Sequence, residues 1–515
     1  MTDESRSAAR SDGVGIDLSS LRVPKAAELL AARLRQHILS GRLKAGSTLP
    51  SEAKLLAAVG VGRPALREAQ RILESEGLLE VQRGAKGGAI ITLPDSAIAS
   101  RVAGLWLQYN GATLRDVYDT RALLEATAAE RLAEGGDTHS IALLKTTTLE
   151  EHQALTDRDA WFETSLGFHA RLVNAAGLRT LDLLGQMLRD ITSRHIARQR
   201  WEREGGEWRK RAQLSNKSHV KLISLIEAGN GVTAKNFWNV HMNRAADMLF
   251  EGHDQETVLD LFDLGGAARD SSDRTGKAAD ILAERLRRQI VHGELAEGTI
   301  LPPENQLAES LQVGRPALRE AMRILESEGL LVVERGSRGG ARIHAPSREA
   351  AGRPLGILLQ LQQTSIDDVC ETRTLVQTAA ARTIAERGSD ENRAALRAAV
   401  EAGMSVADDP VEWSRHAVSF YGRLVELSGL STLAYLGGLV EDLLDRHWAN
   451  RNVSPVSRPE AANPAFVQRA QLRLVMLIEA RDVSGAEAMV RAHLDGIQQR
   501  LAIQSADTRM LCASD

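Results

Sequence analysis

The chain has 515 residues, of which 43% are hydrophobic and only 3% aromatic, and its formal net charge at pH 7 is −4. This length allows several domains, and no run of about 18 apolar residues occurs, which excludes a membrane-spanning protein. The two distant cysteines, Cys370 and Cys512, exclude a disulfide framework or a cysteine zinc site. Residues 1–15 are polar and unlike a signal peptide, so a cytoplasmic protein is expected.

The small negative charge hides a local excess of positive charge. Residues 23–94 contain 11 Lys and Arg against 6 Asp and Glu, whereas residues 275–346 contain 10 of each kind. The remainder of the chain therefore carries a net charge of −9. A basic module inside an acidic chain is compatible with a nucleic-acid partner.

The first predicted elements form a compact series over residues 23–95. Residues 25–39 have the apolar spacing of an amphipathic helix, and Ser51 is a plausible N-cap for a second helix that ends near residue 58. Pro64 suits the first turn of a third helix, and Gly77 ends it. Two short strands follow, joined by a glycine-rich turn. This order predicts a winged helix-turn-helix.

The third helix carries an arginine stripe. Arg63, Arg67 and Arg71 recur every four residues and share one face, while another face is apolar and is expected to pack on the second helix. Arginines presented in this way can read guanine or grip phosphates, and Arg83 and Lys86 at the wing tip extend the basic surface. The alternative is a solvated helix whose arginines pair with nearby glutamates, namely Glu68, Glu74 and Glu76.

The rest of the chain predicts helices and then a second copy of the whole plan. We expect a helical domain over 96–253, a polar linker over 254–276, a second winged module over 277–346 and a second helical domain over 347–505, with tails at 1–22 and 506–515. The predicted fold class is therefore mainly α: two winged helix-turn-helix domains, each followed by an all-α bundle.

An internal repeat supports this duplication. Residues 61–79 return 252 positions later as residues 313–331, and only Gln70 and Met322 differ among the 19 positions. The repeat retains Arg315, Arg319 and Arg323, and its wing carries Arg335 and Arg338. Retention of these arginines while the flanking sequence has diverged favours DNA binding by both copies.

These motifs resemble the GntR family of bacterial transcription regulators. The resemblance lies in Leu-Pro-x-Glu at 49–52, Val-Gly-Arg-Pro-Ala-Leu-Arg-Glu-Ala at 61–69, Glu-Gly-Leu-Leu at 76–79 and the glycine-rich wing. The helical domains resemble the FCD effector domain of the FadR-like subfamily. The resemblance implies ligand-controlled binding to a double-stranded DNA operator. Most members carry one module per chain and dimerise, so the fused pair is a departure.

The same resemblance implies a metal site in the first helical domain only. FCD domains often hold a divalent metal on three histidines and an aspartate, and here His169, His219 and His241 match, whereas Ser165 replaces the aspartate. Zn, Ni, Fe or Mn would suit these ligands. Hydrogen-bonded histidines without a metal are the alternative. The second domain has Ala417, Tyr421, Gln471 and His493 at these positions, so no metal is expected there.

The resemblance also assigns an effector-binding role to Arg121 and Arg373, which occupy the same place in the two domains. Such an arginine would clamp the carboxylate of an organic acid. The alternative is a surface salt bridge between Arg121 and Glu125, a position that is Gln377 in the second copy.

The sequence thus predicts a transcription regulator, most simply a repressor, and not an enzyme. The arginine-bearing helices of the two winged modules, which act as recognition helices, would read two similar half-sites. The first winged module should contribute more of the DNA affinity because it is more basic. The chain would act as an internal pseudo-dimer or as a homodimer. The alternatives are a metal-dependent enzyme or a helical scaffold with vestigial DNA-binding modules.

Overall fold

A computed structural model describes residues 26–82, 88–94, 96–201, 207–250, 258–260, 274–333, 340–450, 464–504 and 511. Over these residues the chain is mainly helical, with two small two-stranded sheets, which confirms the predicted fold class. No helix in the described ranges is both long and apolar enough to cross a membrane.

The first winged module, called here the first head, has three helices and a hairpin. The elements are α1 Ala26–Leu39, α2 Glu52–Val59, α3 Arg63–Ser75, β1 Leu79–Gln82 and β2 Gly88–Ile91. The strands are antiparallel, with Leu79 opposite Ile91.

The sequence signals act at the ends of these helices largely as expected. Gly60 ends α2 with a φ of +69° and Gly77 follows α3 with a φ of +71°, a backbone region that favours glycine. Pro64 lies in the first turn of α3. Ser51 does precede α2, but its side chain makes no capping hydrogen bond.

The apolar face of α3 forms the centre of the first head. Leu66, Ala69 and Leu73 are buried, and α3 packs against α2 as expected but more extensively against α1. At the edge of this core Arg35 and Glu76 form a buried ion pair, with Nη2 of Arg35 2.6 Å from Oε1 of Glu76.

In the described ranges, the first bundle has seven helices, with a 3-10 turn at Ala154–Thr156 before the fourth. They are α4 Ser96–Tyr109, α5 Leu114–Gly135, α6 Thr138–Gln153, α7 Arg158–Ala175, α8 Arg179–Trp201, α9 Glu207–Glu227 and α10 Gly231–Phe250. Side chains of Thr113, Asp137 and Asp157 cap α5, α6 and α7.

The second half repeats this order. Its head contains α11 Arg274–Val291, α12 Glu304–Ser310, α13 Arg315–Ser327, β3 Leu331–Val333 and β4 Ala341–Ile343. Its bundle contains α14 Arg348–Leu361, α15 Ile366–Arg387, α16 Asp390–Ser405, α17 Pro410–Glu426, α18 Ser431–Asn450, α19 Pro464–Glu479 and α20 Val483–Gln504.

The two halves exchange contacts at the base of each head. Leu105 of α4, in the first bundle, is buried in the core of the second head. Ile357 of α14, in the second bundle, is likewise buried in the core of the first head. The helices α4 and α14 also pack on each other. Each head therefore rests on a helix of the opposite half.

The two bundles join through a reciprocal pair of helix caps. Asp116 of α5 accepts hydrogen bonds from the backbone N–H and hydroxyl of Thr432, at 2.7 and 2.5 Å, at the start of α18. Asp368 of α15 contacts Thr180 in the same way at the start of α8, at 2.9 and 2.5 Å. A carboxylate at a helix N-terminus satisfies unpaired N–H groups, so these caps tie the bundles together.

Candidate nucleic-acid interface and candidate metal centre

The arginine stripes of α3 and α13 lie at the surface. The side chains of Arg63 and Arg67 are 75% and 65% exposed, and Arg319 is 55% exposed. Arg315 is exposed as well. Side chains this open are free to meet a large ligand such as duplex DNA.

Among the described residues, the partners of these arginines are exposed glutamates. Arg63 and Arg67 each place Nε 3.9 Å from Oε1 of Glu52, and Nε of Arg319 lies 3.2 Å from Oε1 of Glu304. Exposed ion pairs of this kind contribute little. They can be exchanged for phosphate contacts.

The glutamates named in the alternative interpretation have different roles. Glu68 pairs with Arg71 at 3.7 Å, as that interpretation expects. Glu76 instead pairs with Arg35 inside the head, and Glu74 accepts a hydrogen bond from the backbone of Val81 at 2.9 Å.

The two recognition helices contact each other near their C-terminal ends. Nη2 of Arg71 lies 3.6 Å from Oε1 of Glu326. Arg71 is therefore only partly exposed, and its counterpart Arg323 pairs with Glu320 at 2.7 Å. The four wing residues predicted to bind DNA lie outside the described residues: Arg83, Lys86, Arg335 and Arg338.

The three predicted histidine ligands come together inside the first bundle. His169 of α7, His219 of α9 and His241 of α10 are all buried, and their ligand nitrogens lie within 4.8 Å of one another. Across the part of the chain that the structure describes, no other group of three histidine, cysteine or carboxylate side chains meets this geometry.

Two buried glutamates orient the histidines. Nδ1 of His169 lies 2.6 Å from Oε2 of Glu125, and Nδ1 of His219 lies 2.8 Å from Oε1 of Glu151. An ionised carboxylate only accepts hydrogen bonds, so each Nδ1 carries a proton and Nε2 is the nitrogen left to face a metal. This is the arrangement that second-sphere carboxylates give to metal-binding histidines.

The charge states of this cluster follow from burial and from the neighbouring cation. Burial lowers the pKa of His169, and it lowers the pKa of His241 well below its usual value. Burial alone would raise the pKa of Glu125, but Arg121 and His169 reverse the effect and lower it. Neutral imidazoles beside ionised carboxylates are ready to ligate a divalent cation.

The sequence interpretation missed Glu151. It lies on the buried face of α6 with Leu144, Thr147 and Thr148. A glutamate at this helical spacing on an apolar face was the available signal, because a buried carboxylate needs a partner. Trp238, one turn before His241, was missed too; its Nε1 donates to Glu125 at 3.1 Å.

The predicted effector-binding arginines are both buried. Nε of Arg121 lies 2.6 Å from Oε1 of Glu125, and its Nη1 donates to the hydroxyl of Thr192 at 3.3 Å. The pairing with Glu125 named in the alternative thus exists, but inside the bundle rather than at the surface. In the second bundle Nε of Arg373 lies 3.8 Å from Oε1 of Glu441.

The equivalent positions of the second bundle make a different cluster. The hydroxyl of Tyr421 lies 2.5 Å from Nδ1 of His493, and Gln471 donates to the carbonyl oxygen of Ala417 at 3.4 Å. Burial raises the pKa of Tyr421, which keeps this side chain a neutral phenol. A phenol and an amide in place of two imidazoles make a poor metal site.

Comparison with known proteins matches both parts of each half. The model of bacterial regulatory proteins of the gntR family matches residues 26–87 and 278–341, and the FCD domain matches residues 116–244 and 368–496. The duplication is therefore present at the level of whole domains.

Individual relatives match one half of the chain. The HTH-type transcriptional repressor NanR of Enterobacter sp. (strain 638) is 28% identical over 224 residues, which is 43% of this chain and 84% of that protein. The NanR of Klebsiella aerogenes is 29% identical over 229 residues, with the same coverage. A solved Streptococcus agalactiae GntR structure has 24% identity and a TM-score of 0.32, and covers 43% of this chain and 99% of that one.

Proposed function

This chain belongs to the GntR family of DNA-binding transcription regulators and carries FCD effector domains twice, and on that premise we propose an effector-controlled repressor with two reading heads on one polypeptide. The NanR relatives are named as repressors, which supports this direction of control. Such a protein would act in the cytoplasm, where a bacterial chromosome lies.

The observation that carries the proposal is the pair of recognition helices. Their near-identical sequences would read nearly the same bases, and Arg71 and Glu326 bring them into contact side by side. The N-terminal arginines of both helices remain exposed. One operator with two similar half-sites fits this arrangement, with Arg63, Arg67, Arg315 and Arg319 contacting bases or phosphates.

The first bundle is the proposed sensor. Its three histidines fit a divalent metal such as Zn, Ni, Fe or Mn, because their lone pairs converge and carboxylates fix their orientation. Three protein ligands leave positions for water or for an effector carboxylate. A metal bound there would supply a positive charge that attracts an organic acid.

Arg121 is proposed to serve the same effector. Its guanidinium group is paired with Glu125, so an incoming carboxylate would compete with Glu125 for it. That competition would also disturb His169, which shares Glu125. Arg373 is the corresponding proposed clamp in the second bundle, where Glu441 is the competitor.

A chain of contacts links this sensor to the second head. Arg121 contacts Thr192 of α8, and Asp190 of the same helix accepts a hydrogen bond at 2.8 Å from Ser100 of α4. The next residue of α4, Arg101, lies 3.3 Å from Glu328 at the end of α13. We propose that an effector shifts the tilt of the heads along this route, provided that it binds the two arrangements with different affinities.

Selection of bound sequences from random duplex DNA, with and without added Zn²⁺, tests the proposal. The expected result is a site with two similar halves, whose affinity falls steeply with salt because phosphates are neutralised. Failure to retain any duplex at low ionic strength, in both the metal-loaded and metal-free forms, would overturn it.

A further inference from the structure

A cluster of charged side chains crosses the junction between the two bundles. It consists of Glu130 and Lys235 from the first bundle and Arg382, Glu487 and Arg491 from the second. Nζ of Lys235 lies 3.1 Å from Oε2 of Glu130 and 3.2 Å from Oε1 of Glu487. Lys235 and Glu130 are about 10% exposed or less, so these charges are poorly screened by water.

Four members of this cluster occupy equivalent positions with reversed charges, whereas Arg491 has the uncharged Asn239 as its equivalent. Addition of the repeat offset of 252 places Glu130 opposite Arg382 and Lys235 opposite Glu487 in the comparison of the two copies. Within each bundle the pair stays complementary: Lys235 contacts Glu130, and Nη1 of Arg382 lies 3.5 Å from Oε1 of Glu487. Each bundle thus keeps its own ion pair, but the acidic residue is on α5 and the basic residue on α10 in the first bundle, whereas the basic residue is on α15 and the acidic residue on α20 in the second.

This reversal matters only for contacts between bundles. Lys235 meets Glu487 across the junction, and Arg491 lies 3.5 Å from Glu130, so both crossing contacts join opposite charges. Two first bundles joined in the same way would place Lys235 against its own copy. Two second bundles would place Glu487 against its copy, and Arg491 against Arg382.

The reciprocal caps at the junction do not distinguish these pairings, whereas the more exposed ion pair between Arg131 and Glu371 also involves positions at which the copies differ, since Thr383 is the equivalent of Arg131. Asp116 and Asp368 are the same residue type, as are Thr180 and Thr432, so the reciprocal caps form equally well between like or unlike bundles. Selection between pairings must come from positions at which the copies differ. The reversed charges are such positions, and they lie in a poorly solvated place.

We propose that this charge cluster favours pairing of a first bundle with a second bundle and disfavours pairing of two first bundles or of two second bundles. Each chain can then satisfy the pairing internally, with its own two bundles. The proposal depends on the internal pairing described above but not on DNA binding. Like charges brought together at an interface disfavour a wrong partner, and the effect is stronger where water is largely excluded, as it is around Lys235 and Glu130.

Two double variants of the full-length chain reproduce the like pairings. R382E/E487K gives both bundles the charges of the first, and E130R/K235E gives both the charges of the second. Each retains a complementary ion pair within every bundle. In R382E/E487K only the crossing contact between positions 235 and 487 becomes like-charged, whereas in E130R/K235E the contact between position 130 and Arg491 becomes like-charged as well. We expect each variant alone to lose several degrees in Tm. The quadruple variant restores opposite charges between positions 235 and 487 but leaves Arg491 against the arginine introduced at position 130, so it should recover part of the loss.

Mixing provides the decisive measurement. When the two double variants are co-expressed with different affinity tags, each chain finds its complement only in the other, so they should co-purify one to one. Differently tagged wild-type chains should co-purify roughly tenfold less. The control is R415E/E412R, which reverses an exposed ion pair on α17 and should behave as wild type in both assays.

The proposal is overturned if the double variants match the wild-type Tm, if the quadruple variant is no better than the doubles, or if mixed double variants do not co-purify. Efficient co-purification of the wild-type chains would instead show a homodimer and reject the internal pairing itself. Loss of DNA binding without these changes would reject the proposed function alone.

Discussion

At the scale of single residues, the two heads share a recognition helix but differ in their surroundings. The second head has Glu294, Glu297 and Glu309 where the first has Arg42, Ala45 and Ala57. Because phosphate neutralisation supplies much of the affinity for DNA, the same arginine should contribute more in the first head.

We therefore expect Arg67→Ala to weaken operator binding by about 1–3 kcal/mol, and Arg319→Ala to weaken it less. Fluorescence anisotropy with the selected operator at fixed salt measures both values of Kd. Equal losses, or a larger loss for Arg319→Ala, would contradict the dominance of the first head.

The carboxylate behind His219 allows a test of the metal centre. Glu151→Gln removes the charge that fixes the proton on Nδ1 of His219, and we expect metal affinity to fall by roughly 10- to 100-fold. The adjacent Glu150 is largely exposed, so Glu150→Gln is the matched control and should leave the affinity unchanged. Calorimetric titration of chelator-treated protein with Zn²⁺ gives both numbers.

The buried histidines also predict a pH dependence of stability without metal. The pKa values of His169 and His241 are lowered in the folded protein, whereas the unfolded chain takes up these protons near pH 6.5. Their contribution to stability is thus complete above that pH and is lost as the pH falls towards the folded pKa values.

Urea denaturation between pH 7.5 and pH 5.5, in the presence of a chelator, should show a falling free energy of unfolding for the first bundle. A His169→Gln/His241→Gln variant should show a shallower slope over this window. A wild-type curve that is flat across the window would argue against the burial of neutral imidazoles.

At the scale of elements, the exchanged helices α4 and α14 give each head a foundation in the opposite half. Leu105→Ala removes a side chain that is 1% exposed in the core of the second head, and Ile357→Ala does the same for the first head. Truncation of a buried leucine or isoleucine costs about 2–5 kcal/mol.

We expect each substitution to destabilise the head of the opposite half. Leu105→Ala, in the first half of the sequence, should accelerate amide hydrogen exchange in α11 and α13 while α1 and α3 keep their protection, and Ile357→Ala should do the reverse. If each substitution instead destabilised the head of its own half, the exchanged arrangement would be wrong.

The helices themselves were accessible from the sequence because their signals are local. Apolar periodicity marks α1, Pro64 and Gly77 delimit α3, and the spacing of Arg63 and Arg67 places them on one face. The histidine cluster was reached through family resemblance, which located the residues but not the glutamates behind them.

The packing of each head on a helix of the opposite half could not be predicted from local signals. Nothing in the spacing around Leu105 or Ile357 states which head they support, because that depends on how α4 and α14 cross. The reversed charges at Lys235 and Glu487 are visible once the copies are aligned, but they carry meaning only after α10 and α20 are known to meet across the junction.

At the scale of the whole molecule, the internal pairing predicts one chain per operator. Light scattering during titration with a short operator duplex should give the mass of one chain plus one duplex, with no larger complex at saturation. Two chains on each duplex would show that the bundles of different chains assemble, and the reciprocal caps at Thr180 and Thr432 would then belong to a larger particle.

The presence of both heads in one polypeptide also bears on how the regulator behaves when it is scarce. Assemblies of separate subunits fall apart as cells dilute them, so that their active fraction drops faster than their amount. A covalent link keeps the heads at a fixed local concentration whatever the copy number. Operator occupancy should accordingly follow abundance in simple proportion, down to a few molecules in each bacterium.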